Sequence, residues 1–89
     1  MIPKDKNQII IEGHSDNWPV SKKIAEYYPS NWELSVSRAI SVAQIMISNG
    51  ISPEKISVAG YGEYRPLIDN NEVGSLKKNR RIELKLTQP

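Results

Sequence analysis

Ser30 followed three residues later by Glu33 forms a capping box, and Asn49-Gly50 offers a left-handed stop, so the sequence predicts one helix over about residues 31–48. In a chain of 89 residues an element this long leaves room for one core and a few short partners. Placed about 100° apart on a helical wheel, Val36, Ala39, Ile40, Val42, Ala43, Met46 and Ile47 form one apolar arc, extended by Leu34 and Ile45. Ser37, Ser41, Gln44 and Ser48 fill the opposite face. Arg38 breaks the pattern, lying one turn after Leu34 and one before Val42, with Ser35 on the same side.

The partners flank this helix. Gln8-Ile9-Ile10-Ile11-Glu12, closed by Gly13, reads as a strand buried on both faces. Residues 17–29 lack a period and contain two prolines, which makes them a long loop with one helical turn near Lys22 to Tyr27. Ser52-Pro53-Glu54 starts a single turn leading into a second strand, Lys55 to Gly60. Residues 67–79 read as irregular with a helical turn. Arg80 to Thr87 alternates Ile82, Leu84 and Leu86 inward against charged residues outward, as a half-exposed third strand does. The order strand, helix, strand, turn, strand gives one α/β domain spanning 1–89, a two-layer sandwich with helices on one face of a single sheet.

Composition bounds the chemistry. At 38% apolar and 25% charged the chain resembles ordinary globular domains. No apolar run approaches the roughly 20 residues of a bilayer span, and no signal-peptide pattern opens the chain, so any export address is expected outside it. Zero cysteines exclude disulfides and thiolate catalysis, and a net charge of +2 gives no global basic field for nucleic acid.

Arg38 has two readings. Its stem can lie along the core edge with the guanidinium in water, or the guanidinium can grip a carboxylate in a cleft with its planar fork. Gly13-His14-Ser15-Asp16 ends the first strand, and ligand clefts in open α/β sheets lie at the carboxyl ends of strands. Asp16 and Arg38 could then flank one pocket suited to a zwitterion, with Asp16 taking an ammonium and Arg38 a carboxylate. Equally, Asp16 could cap a turn or pair with Arg38.

The motifs Gly13-His14-Ser15-Asp16, Asn31-x-x-Leu34-Ser35-x-x-Arg38-Ala39-x-x-Val42, Gly60-Tyr61-Gly62-Glu63 and Asn79-Arg80-Arg81-Ile82-Glu83 occur in this order over residues 8–86. Together they resemble the OmpA-like peptidoglycan-binding domain, and Ser30 to Ser35 with the loop before it is most similar to the periplasmic domain of MotB-type flagellar stator proteins. The resemblance implies an OmpA-like α+β fold with a mixed sheet, whose usual first strand and first helix are absent from this sequence, and a place in the periplasm or cell envelope. It implies non-enzymatic wall anchoring, with the diaminopimelate of peptidoglycan stem peptides as ligand. Asp16 would take the ammonium and Arg38 the carboxylate. Asn31, Leu34 and Ser35 would shape the helix start, and Asn79 and Arg81 would be further contacts or supports at the cleft edge. It also implies a homodimer, and a membrane link only through parts beyond this chain. Ser15 stands where threonine is more frequent, Met46 where leucine is usual, and Gly74-Ser75-Leu76 replaces Glu-Gly-Arg, removing an ionic anchor.

Other chemistry fits less well. No cofactor is expected, and no metal, since His14 is the lone histidine and would need carboxylates scattered along the chain. A hydrolase built from His14, Ser15 and Asp16 fails because adjacent strand residues point to opposite faces. The same alternation divides Arg80 from Arg81 and breaks up the basic run 77–81, so no nucleic-acid partner is expected. Trp18, Tyr27 and Tyr28 could stack on sugar rings or a partner, or simply pin the loop. An assembly module that dimerises through its sheet edge is the competing reading.

Overall fold

The computed structural model describes residues 7–18, 20–68 and 78–87. Three strands, β1 (Gln8–His14), β2 (Ile56–Gly60) and β3 (Arg81–Thr87), form one sheet in the order β2-β1-β3. β1 runs parallel to β2 and antiparallel to β3, so the sheet is mixed. Between β1 and β2 lie a short helix α1 (Lys22–Ala25), the long helix α2 (Asn31–Ser48) and a 3₁₀ turn (Pro53–Lys55). No described helix is long and apolar enough to cross a membrane.

The ends of α2 follow from its punctuation. Ser30 Oγ accepts the Trp32 N–H at 3.2 Å and donates to the Glu33 carboxylate, which holds that carboxyl below its usual range. At the other end the Gly50 N–H reaches the Ile47 carbonyl (3.0 Å) and the Ile51 N–H the Met46 carbonyl (3.1 Å), with Gly50 at φ +100°. This is the Schellman arrangement that satisfies the last carbonyls. Ser30→Ala is expected to lower stability by about 1 kcal/mol, read as a shifted urea midpoint with an unchanged slope.

α2 packs across β1 and β2, and the buried apolar centre is Ile11, Ala39 and Ala43, joined by Ile9, Val42, Met46, Ile56 and Ile82. Small residues at the contact let the helix backbone approach the sheet. Gly13 and Gly60 are direct register partners, and a Cβ on Gly13 would stand 2.0 Å from the Ser35 carbonyl oxygen. The two glycines leave a trough in which the first half of α2 lies.

Two expectations need correction. The apolar arc of α2 is wider than the surface it covers, so Ile40, Ile45 and Ile47 are exposed. On β3, Leu84 and Leu86 pair with Ile11 and Ile9 and therefore share the helix-facing side, yet they are 56% and 75% exposed. The alternation is right, but α2 lies over β1 and β2 and leaves β3 beside it. β2 and β3 each begin one residue later than expected, at Ile56 and Arg81. The irregular stretch read at 67–79 falls mostly outside the described residues, as does the Gly74-Ser75-Leu76 departure.

Candidate ligand-binding cleft

β1 delivers its last residues into a network that fixes the backbone. The Tyr61 N–H donates to the Gly13 carbonyl (3.0 Å) and the Ser15 N–H to the Gly62 carbonyl (2.9 Å), extending the β1–β2 pairing past the strand ends. Asp16 follows, only 4% exposed. Its Oδ1 accepts the Trp18 N–H at 2.8 Å, closing an Asx-type turn, and its Oδ2 accepts from the Arg80 Nε–H. The Asn31 amide donates to the carbonyls of Asp16 (3.3 Å) and Trp18 (3.1 Å), tying the first residue of α2 to this turn.

A cleft of about 330 Å³ opens here, floored by Ser15, Asp16 and Asn31 and walled by Leu34 and Arg38 of α2. Val20, Ser21 and Ile24 of the preceding loop and α1, together with Trp18 and Arg80, close the remaining sides. Its size suits a small ligand. Of the two readings of Arg38, the structure places it on the cleft wall, with its side chain exposed and no hydrogen bond or ion pair to any described residue. Asp16 is therefore not paired with Arg38; its cation is Arg80, whose side chain is half exposed. The cleft thus brings together a buried carboxylate paired with the half-exposed Arg80 and, one helical turn along from Leu34, a guanidinium without a partner among the described residues.

Of the residues singled out in the sequence, Asp16, Asn31, Leu34 and Arg38 line the cleft. The other three act behind it. Ser35, fully buried, donates to the Trp32 carbonyl (2.9 Å) and accepts the Gly62 N–H (3.0 Å), locking α2 to the turn after β2. Asn79, also fully buried, accepts the N–H groups of Leu67 (2.7 Å) and Ile68 (3.2 Å) and donates to the Ile68 carbonyl (3.1 Å). Arg81 donates to Glu83 and to the carbonyls of Arg65 (3.0 Å) and Asn79 (3.4 Å). Asn79 and Arg81 are supports of the 65–68 segment and not cleft lining.

Arg80 is the residue that sequence reasoning missed. Its signal was available once β3 is set antiparallel to β1, because His14 faces Arg81 in the register, so Arg80 arrives beside Ser15 and Asp16. Alternation does send Arg80 and Arg81 to different surroundings, the cleft and the Glu83 side chain. His14, Ser15 and Asp16 likewise make no side-chain hydrogen bond to one another, since Ser15 Oγ donates to the Asp16 carbonyl and both His14 nitrogens lack partners.

The chain is similar to known proteins. Motility protein B of Bacillus subtilis is 42% identical over 77 residues, 85% of this chain and 28% of that protein. The peptidoglycan-associated lipoprotein of Pseudomonas putida is 33% identical over 79 residues, covering 89% of this chain and 43% of that one. The crystal structure of the C-terminal domain of Helicobacter pylori MotB superposes with a TM-score of 0.83 at 27% identity, covering 99% of this chain and 62% of that one. The chain therefore spans less than half the length of these curated relatives. Residues 2–80 match the OmpA family, and with the mixed sheet, the seated helix and the cleft at the end of β1 in place, the chain belongs to the OmpA family.

Proposed function

We propose that this chain binds peptidoglycan non-covalently, as an anchoring domain of the cell envelope, and that the cleft between Asp16 and Arg38 takes the diaminopimelate end of a stem peptide. The observation that carries the reading is the meeting in one cleft of a buried carboxylate and a guanidinium that has no partner among the described residues. An amino acid zwitterion presents the complementary pair: its ammonium replaces the Arg80 guanidinium on Asp16, and its carboxylate meets the fork of Arg38. Relatives named for motility and for association with peptidoglycan support the general role. In this reading the domain works by charge pairing, without catalysis.

A ligand this small supports a single-site Kd of roughly micromolar to millimolar. Firm attachment then comes from several domains engaging one polymer, which a homodimer would begin to supply. The exposed Leu84 and Leu86 on the edge strand β3 favour a second reading, an assembly module that pairs through this face.

An NMR titration of the labelled chain with a stem peptide ending in diaminopimelate, beside the same peptide carrying lysine, tests the proposal. Shifts are expected at residues 13–16, 31–38 and Arg80, with the lysine peptide weaker. Absence of shifts with either peptide would defeat the wall-binding reading and favour the assembly module.

A further inference from the structure

A second polar cluster lies on the sheet face turned away from α2. Ile11 and Gly13 point toward the helix, so Glu12 and His14 point the other way, and Glu83 is the direct cross-strand partner of Glu12. Two carboxylates set opposite each other on one face repel unless a cation lies between them. His14 sits against both: its Nε2 is 3.8 Å from Glu12 Oε1 and 3.8 Å from Glu83 Oε2. At that length neither contact is a hydrogen bond. The ring is only 3% exposed and stacks on Tyr61, with centroids 5.2 Å apart, and neither of its nitrogens has a hydrogen-bond partner. Buried polar atoms are almost always satisfied, so an imidazole without a hydrogen bond, set between two carboxylates, calls for a chemical reason.

We propose that Glu12, His14 and Glu83 bind one divalent transition-metal ion of the zinc class, at a site separate from the ligand cleft. One ligand atom from each residue lies within 4.8 Å of the others. Zinc holds nitrogen and carboxylate oxygen at about 2.0–2.2 Å, which sets tetrahedral ligand atoms roughly 3.4 Å apart, so the cluster needs to contract by less than about 1.5 Å. An imidazole between two carboxylates selects zinc and its neighbours over magnesium or calcium, which prefer all-oxygen sites.

The site is guarded. Lys85 Nζ lies 3.3 Å from Glu12 Oε1, and Arg81 holds Glu83. The Lys85 side chain is more than half exposed and leaves easily, whereas Arg81 is anchored to two backbone carbonyls. An entering ion therefore displaces Lys85 and shares Glu83 with Arg81, which makes Lys85 a competitor whose removal strengthens binding.

The lone histidine makes the test clean. Zinc chloride is titrated calorimetrically into the untagged full chain in a non-chelating buffer, while the His14 ring signals are followed by NMR. A one-to-one isotherm with shifted ring signals is expected, and magnesium at the same concentration should give neither. His14→Gln should abolish binding. Glu83→Gln, on the half-exposed strand where the fold tolerates it, should weaken binding by about tenfold or more. Lys85→Met should tighten it several-fold. No saturable zinc binding by the parent, equal binding by magnesium, an unchanged isotherm in Glu83→Gln, or no tightening in Lys85→Met would each overturn the site. Wall binding is not involved in any of these readouts, so the two proposals stand or fall separately.

Discussion

Arg38→Ala is expected to abolish co-sedimentation with isolated sacculi while leaving the melting temperature within a few degrees of the parent. The side chain is exposed on the cleft wall and has no described partner, so its removal opens no cavity and orphans no buried group. A hydrogen bond to a charged group is worth about 1.5–3 kcal/mol, so losing it would weaken a single site by roughly tenfold to a hundredfold. From a weak starting affinity that removes detectable retention, and repeated attachment along the polymer multiplies the loss. Arg38→Lys keeps the charge but not the planar fork and should fall between the two. Arg80→Ala gives the opposite contrast: it frees Asp16 from its resident cation, so peptide affinity should hold or rise. An Arg38→Ala chain that sediments with sacculi as the parent does would remove the zwitterion reading.

The legible parts of this chain were those written in local chemistry. Ser30, Glu33, Asn49 and Gly50 gave both ends of α2, because caps act within a few residues and their hydrogen bonds form as the spacing requires. Arg38 was found as an excess of polarity on an apolar arc, and Asp16 by its place at the carboxyl end of the first strand. What the sequence hid was tertiary. Whether Leu84 and Leu86 are covered depends on which strands α2 crosses, and no period in β3 records that. Arg80 was overlooked as cleft lining because its place beside Asp16 comes from strand register, 64 residues away in sequence. The same long-range pairing collects Glu12, His14 and Glu83, which in the linear chain look like one histidine and scattered acids.

Gly13→Ala is expected to cost about 3 kcal/mol or more, a large part of the roughly 4–13 kcal/mol that a domain of this size commands. The added Cβ would sit 2.0 Å from the Ser35 carbonyl oxygen and 2.9 Å from its carbon. Both are helix backbone atoms, so no rotamer change relieves the clash, and α2 as a unit must lift from β1. Lifting it breaks the Ser35 link to Gly62 and the Asn31 link to Asp16, the two contacts that hold the helix start against the cleft floor. Gly50→Ala is the control for glycine loss as such: a Cβ there meets nothing within 4 Å, and only the positive φ is strained, at about 1–2 kcal/mol. Urea unfolding of the two variants beside the parent separates the effects. A Gly13→Ala midpoint no lower than that of Gly50→Ala would mean that α2 is not seated on the β1 backbone, and the cleft geometry that depends on that seat would fall with it.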